Sequence, residues 1–272
     1  MSFLVLRTLK ATALCTATLM FCLCLDSFSA SAAELTKDEV KNIIRQLLKD
    51  EPQLVLNALE KNSEAVLEIA QKGNRERKER LLLQQWQGDA KEPKNINLEA
   101  RDFRGSAKAP VTIVAYSDFT CSYCQQAEML LSLLLETRKP DIKVVFKLLP
   151  KEENALSLAA AKYSLAAFLQ NPEKGWNFHD ALFARIEEME AKGDAFIREL
   201  AASLGLDVKK LQADAAGKRV EAILTADRTE ADRLGISGTP HFLVNDLVIR
   251  GAVPKEIFDQ AIDMALKLAK KK

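Results

Sequence analysis

Val111-Thr112-Ile113-Val114-Ala115-Tyr116-Ser117-Asp118-Phe119-Thr120-Cys121-Ser122-Tyr123-Cys124 is an apolar run that delivers two cysteines, spaced C-x-x-C, to the start of a helix. Val111 to Tyr116 is β-branched and aromatic, too short for a helix and entered by Pro110, so it reads as a buried strand. After Cys124 the period changes: Met129, Leu130, Leu133, Leu134 and Leu135 recur at helical spacing until Pro140 ends the segment. Cys121 is thereby placed near a helix N-terminus, where unpaired N–H groups and the macrodipole favour a thiolate. Cys124 follows one turn later on the same side, within reach of a disulfide and more deeply placed.

That spacing suits thiol–disulfide exchange. A Cys121 thiolate attacks, or is released from, a mixed disulfide with another protein, and Cys124 resolves it, with no cofactor or metal required. A purely structural bridge is the bland alternative, but it closes so short a loop that it restrains the unfolded chain little. A closed zinc site wants four ligands. Outside the leader described below, the sequence offers no more cysteines and only His179 and His241, so a closed structural zinc site is not expected. Two thiolates suffice for Cu(I), so copper handling stays open as a second class of function.

A second stretch, Gly235-Ile236-Ser237-Gly238-Thr239-Pro240-His241-Phe242-Leu243-Val244-Asn245-Asp246, places a proline in a turn-like context just before an apolar strand. Together, Phe119-Thr120-Cys121-Ser122-Tyr123-Cys124 and Gly238-Thr239-Pro240-His241-Phe242-Leu243-Val244-Asn245, with helices between, resemble the DsbA-like branch of the thioredoxin superfamily. Lys49 to Glu60 resembles the early helix pair of its ScsC-like and Com1-like periplasmic members. The resemblance implies an α/β thioredoxin fold with a helical insertion and an N-terminal helical arm. It also implies that Pro240 is a cis-proline beside the thiols, with Thr239 and Pro240 docking client peptides as an added strand. The DsbA oxidases carry Pro-His between their cysteines, whereas this chain has Ser122-Tyr123, so the imidazolium that would drive a strongly oxidising potential is missing.

Arg7 and Lys10, the apolar run Ala11 to Leu25 and the small residues ending at Ala32-Ala33 read as a cleaved signal peptide over residues 1–33. Cys15, Cys22 and Cys24 leave with it, so Cys121 and Cys124 remain from five cysteines. An exported, periplasmic protein that keeps one C-x-x-C suits a disulfide exchanger. Removing Arg7, Lys10 and Asp26 takes 39 basic and 38 acidic residues to 37 of each, a balance that gives no footprint for nucleic acid or an anionic membrane.

Residues 34–93 are expected to form the arm. Thr36-Lys37-Asp38-Glu39 has the form of a capping box ahead of the stripe Val40, Ile43, Ile44, Leu47, Leu48. A second helix starts at Pro52, is expected to break at Gly73-Asn74, and leads to a linker over 88–93. The stripe must be buried either on its own domain or against copies of itself; the family resemblance implies a homo-oligomer through residues 34–87. Residues 94–272 are expected to form the catalytic domain. Its elements run from a short strand at Ile96-Leu98, through the redox unit and a strand over Ile142–Leu149, into helices over about 154–234. Trp176–Met189 reads as one of those helices. Two strands joined at Asn245-Asp246 and a last helix from Pro254 complete it. Phe168, Trp176, Phe178 and Phe183 read as core, His179 as packed or surface, and Asp118 as either a cap or a proton relay to Cys124. The whole reads as a thiol–disulfide oxidoreductase acting on exported clients and reset by a membrane or periplasmic redox partner. Isomerase or reductase is favoured, a disulfide-donating oxidase is the alternative, and a non-catalytic holdase would not need Cys121.

Overall fold

The computed structural model describes residues 35–99 and 101–270. The expected leader, with Cys15, Cys22 and Cys24, lies outside them. The chain forms two compact units that divide between Arg75 and Glu76.

The first unit contains α1 (Lys37–Asp50), α2 (Gln53–Lys61) and the start of α3 (Ser63–Asp89). The capping box is formed: the Glu39 N–H donates to Thr36 Oγ1 at 3.3 Å and the Thr36 N–H to Glu39 Oε2 at 2.8 Å. Ile43, Ile44, Leu47 and Leu48 are all exposed, as are Leu54, Val55, Leu56 and Leu59 of α2. The expected break at Gly73-Asn74 is absent, because a single helical glycine costs only about 1 kcal/mol and the pair is flanked by the strong helix formers Gln71, Lys72, Arg75, Glu76 and Arg77. The interruption falls instead at Asn62, whose side chain donates to the Ala58 carbonyl at 2.8 Å and closes α2.

In the second unit a five-stranded sheet is built from β1 (Phe103–Gly105), β2 (Val111–Ser117), β3 (Ile142–Leu148), β4 (His241–Val244) and β5 (Leu247–Arg250). Its order is β1-β3-β2-β4-β5. β2 and β3 are parallel, with Val111 opposite Ile142 and Tyr116 opposite Lys147, and are joined by α4 (Ser122–Thr137) as the crossover that parallel pairing requires. The other pairs are antiparallel. Asn245 adopts a left-handed φ of 51° at the β4–β5 turn, and its Oδ1 accepts the Thr112 N–H at 2.8 Å, which pins the hairpin to the start of β2.

The expected strand at Ile96–Leu98 is not in the sheet. The Asn97 N–H donates to Glu230 Oε2 at 2.8 Å, and β1 at Phe103–Gly105 takes the edge instead. The last part of α3 also differs from the arm assignment, since Trp86 is fully buried against the sheet and its indole N–H donates to the Val248 carbonyl at 2.8 Å. Asp89 Oδ2 accepts the Val248 N–H at 3.1 Å, so this part of the helix covers the edge left open by β5.

Ile113, Ala115, Phe242 and Val244 pack on one face with Leu131 and Leu134 of α4 and with Phe258 and Ile262 of α11 (Lys255–Ala269). Between β3 and β4 lie α5 (Ala155–Gln170), α6 (Pro172–Ala184), α7 (Ile186–Lys192), α8 (Asp194–Ser203), α9 (Val208–Ala215) and α10 (Lys218–Arg233). The continuous helix expected over Trp176–Met189 is broken at Arg185, whose guanidinium pairs with Glu188 at 2.7 Å in the next turn. These helices enclose their own core, including Phe178, Leu182, Phe196 and Ile197, and it reaches the sheet through Phe119, Cys124 and Leu148.

α5 and α6 approach closely at Gly175. A Cβ there would stand 2.6 Å from Phe168 Cδ1 and 3.0 Å from its Cα, so the backbone as well as the ring would have to give. Gly175→Ala is expected to lower unfolding stability by about 1–3 kcal/mol. A urea midpoint equal to the parent's would show that the helix pair yields freely.

Candidate active site

β2 ends at Ser117 and the chain turns into α4 through Asp118, Phe119 and Thr120, leaving Cys121 as the residue that caps the helix. Asp118 shapes this turn. Its Oδ1 accepts the Thr120 N–H at 2.9 Å and the Ser157 hydroxyl at 2.7 Å, while its carbonyl accepts the Cys121 N–H at 3.2 Å. The buried carboxylate therefore ties the cysteine loop to the first turn of α5. Phe119 anchors the other side of the loop, its ring 4.6 Å from that of Phe183.

Both cysteines are thiols; Cys121 is half-buried and Cys124 is 1% exposed. The Cys124 thiol faces Cys121, and this contact, opposed by partial burial, does most to lower the Cys121 pKa from 9.0 to about 6. The N–H groups of Cys124 and Tyr123 and the Thr239 hydroxyl assist, although no N–H makes a full capping bond to the sulfur. The same contact, reinforced by burial, pushes the Cys124 pKa up. One proton is thus shared unequally: the outer sulfur carries the charge and the inner one holds the hydrogen.

The Thr239–Pro240 peptide bond is cis, and the Thr239 carbonyl lies 3.6 Å from Cys121 Sγ. The Pro240 carbonyl accepts the Gly251 N–H at 2.9 Å, which ties the loop to the end of β5. The structure accordingly brings Cys121, Cys124, Thr239 and Pro240 together. The Asp118 carboxylate is bonded to Thr120 and Ser157, while its backbone N–H is directed at Cys124. Tyr123 stands 61% exposed beside Cys121, and Met129 and Leu133 are exposed further along the same helix.

Sequence reasoning missed a charged cluster behind β2 and β3. Lys147 is 2% exposed and pairs with Glu230, with Asp227 at 3.6 Å. Tyr116 donates to Glu230 Oε1 at 2.6 Å, and Arg101 pairs with Asp227. Burial opposes ionisation of Glu230, but Lys147 and Tyr116 outweigh it and hold the carboxyl below its ordinary range. The one visible sign was a lysine inside the run Val144-Val145-Phe146-Lys147-Leu148-Leu149. The partners lie on α10, and no local pattern points to them.

Glu128, His179 and Asp180 bring three donor atoms within 4.8 Å of one another. Arg104 already serves as the cation there, with Nη1 3.6 Å from Glu128 and Nη2 2.5 Å from Asp180. A metal ion would have to displace that guanidinium, so these residues fit one poorly.

A protein-family model described as thioredoxin matches residues 97–264. Among curated proteins, the Na(+)/H(+) antiporter NhaA 3 of Salinispora tropica is 32% identical over 168 residues, which is 61% of this chain and 25% of the antiporter. The chain thus spans about a quarter of that relative. Among the described residues no helix is long and apolar enough to cross a membrane. Disulfide bond formation protein D of Bacillus subtilis is 23% identical over 179 residues, covering 63% of this chain and 79% of that protein. A solved thioredoxin-like oxidoreductase from Silicibacter pomeroyi superposes with a TM-score of 0.55 at 28% identity, covering 65% of this chain and 95% of the other. The thiol-disulfide exchange protein alpha-DsbA2 of Wolbachia pipientis (TM-score 0.54, covering 70% of this chain and 97% of the other) and the catalytic domain of Proteus mirabilis ScsC (0.55, 65% and 96%), each 22% identical, share the fold that the two sequence stretches led one to expect. The matched region runs from the segment ahead of β1 into α11, through both cysteines and the cis-proline loop, and the chain belongs to the thioredoxin family.

Proposed function

We propose that this protein is a periplasmic thiol–disulfide oxidoreductase that acts on exported proteins, with isomerisation or reduction as its main reaction. The observation that carries this reading is the unequal thiol pair: a half-exposed, acidified Cys121 beside a buried Cys124 and a docking carbonyl at Thr239. The Cys121 thiolate attacks one sulfur of a client disulfide and releases the other as a thiolate, which takes up a proton. The client is then held through Cys121. It leaves either by attack from another of its own thiols, completing isomerisation, or by attack from Cys124, which leaves the client reduced and the pair oxidised. The partner that resets the pair supplies two electrons and two protons. Thr239 and Pro240 present the backbone against which an extended client segment aligns. Asp118 acts on this chemistry by holding the loop and directing its N–H at Cys124.

A Cys121 pKa of about 6 favours isomerase or reductase over strong oxidase. The corresponding thiol titrates at roughly 7 in thioredoxin and roughly 3.5 in DsbA, where a far more stable thiolate makes the disulfide a strong oxidant. The arm supports the same reading. Ile43, Ile44, Leu47 and Leu48 are 44–51% exposed on one helix, an apolar stripe that a second copy of the chain would cover. An assembly offers several thiolates to one misfolded client.

The test is reactivation of scrambled ribonuclease by the full chain in a glutathione buffer, with mass read by light scattering. The parent is expected to be oligomeric and active. Leu47→Glu with Leu48→Glu is expected to yield monomers that still reduce a small disulfide but lose most reactivation. A monomeric parent that donates disulfides and fails to reshuffle them would overturn the isomerase assignment and leave an oxidase.

A further inference from the structure

A cleft of about 760 Å³ lies between β3, helices α5, α6 and α10, and the segment ahead of β1. None of Cys121, Cys124, Thr239 or Pro240 lines it. Its volume falls in the range of small-molecule sites, about 300–1,000 Å³. The walls are apolar and aromatic: Phe146, Leu165, Phe168, Trp176 and Ile223. Trp176 meets Phe168 edge to face at 4.9 Å and Phe146 at 5.8 Å, which gives an ordered aromatic corner.

The charges around the cleft fall into two groups. Arg101 is committed to Asp227. Glu99, Asp102 and Arg219 have no ionic partner among the described residues. Asp102 is half-buried, and burial, only partly offset by its own backbone N–H, pushes its carboxyl up. A carboxylate taken from water without a cation beside it is an unfavourable arrangement that a ligand ammonium would relieve. Arg219 is exposed on α10, one turn before Ala222, which also lines the cleft. The unpaired set is therefore two carboxylates and one guanidinium around an aromatic wall.

We propose that this cleft binds a short zwitterionic peptide with an apolar side chain. Its ammonium group meets Asp102 and Glu99, its carboxylate meets Arg219, and the apolar side chain packs against Phe146, Phe168 and Trp176. A simple organic anion would satisfy Arg219 but meet two carboxylates, and a simple organic cation would leave Arg219 unmatched. A zwitterion of dipeptide size answers both signs and has the apolar bulk for the wall. This site is separate from the surface that presents Cys121 to clients, and it does not rest on the redox reading.

The test is calorimetric titration of the full chain with the dipeptide Leu-Phe, its C-terminal amide and its N-acetyl form. Saturable binding is expected for Leu-Phe. Ala222→Phe, at an exposed helical position that projects into the cleft, should weaken it at least ten-fold. Arg219→Gln should weaken Leu-Phe about two- to five-fold and leave the amide unaffected, as suits an exposed charge pair. Asp102→Asn should do the same for Leu-Phe and leave the acetylated form unaffected. No binding at millimolar peptide would overturn the proposal. So would binding that Ala222→Phe leaves unchanged, which would place the peptide on the redox surface or the arm, or binding indifferent to both charge variants.

Discussion

Cys121→Ser is expected to reduce thiol–disulfide exchange to about a hundredth of the parent rate or less while the variant still folds and unfolds cooperatively, its midpoint in the reduced state lowered by the loss of the stabilised thiolate. A serine hydroxyl is not ionised near neutrality and is a far weaker nucleophile toward sulfur than a thiolate. Cys121 packs on the edge of the helical core from a half-buried position, where serine keeps the same shape with one smaller atom. Cys124 is unable to substitute, since it is 1% exposed and its pKa is pushed up by the neighbouring sulfur and by burial. Insulin reduction by the variant, followed beside its urea curve, is the check. A variant retaining half the parent rate would point to chemistry that does not pass through this sulfur.

Lys147→Met is expected to produce the largest loss of stability, about 3–5 kcal/mol. The Lys147 side chain is 2% exposed between Glu230 and Asp227, so its removal leaves two carboxylates behind β2 with Arg101 as the one cation paired with them among the described residues, and the Tyr116 hydroxyl and the Asn97 and Leu148 N–H groups as neutral donors. Most of the cost is the uncompensated charge, and a second change should therefore return part of it. Lys147→Met with Glu230→Gln is expected to be more stable than Lys147→Met alone, because a neutral amide removes the uncompensated charge while its oxygen accepts the Asn97 N–H and its NH2 donates to the Tyr116 hydroxyl oxygen. Urea unfolding of the three proteins decides the matter. If the double variant is the least stable, the pair is held by packing more than by charge.

The redox unit was legible because its signals are local. An apolar strand, a C-x-x-C and a change of period from two to 3.6 all fall within Val111–Leu135, and the structure has β2 and α4 there. The β4–β5 hairpin was legible for a similar reason, since Asn245 accepts a left-handed φ that few residues tolerate. Where the reading failed, the deciding interaction was distant. Ile96–Leu98 has strand-like composition, but Glu230, far along the chain on α10, takes the Asn97 N–H and keeps the segment out of the sheet. β1 was missed because Phe103-Arg104-Gly105 is too short to show alternation, and its glycine, at φ 101°, approaches the Ile142 carbonyl so closely that a Cβ would stand 2.5 Å away. Trp86 reads as one more apolar residue on a long helix, and the bonds that attach this part of α3 to the sheet, from Trp86, Gln85 and Asp89 to Val248, join residues far apart in the chain. The helical block gave up its breaks at Gly193, Gly205 and Gly217, but the expected break at Gly175 is absent, since α6 starts at Pro172 and runs through it, and the break at Arg185 is marked by a side-chain pair rather than a breaker residue.

The central claim is that one accessible sulfur, Cys121, is a thiolate near neutral pH while its partner holds a proton. The most direct measurement is the rate of iodoacetamide modification of the reduced full chain from pH 4 to 10, with the modified residue identified by mass spectrometry. A lowered pKa means that the thiolate, and with it the rate, is lost as pH falls through the folded value and is already at its plateau well below 9.0, the ordinary value for this thiol. Of Cys121 and Cys124, the account predicts modification at Cys121, with a midpoint near pH 6. A midpoint near pH 9, or first modification at Cys124, would contradict it.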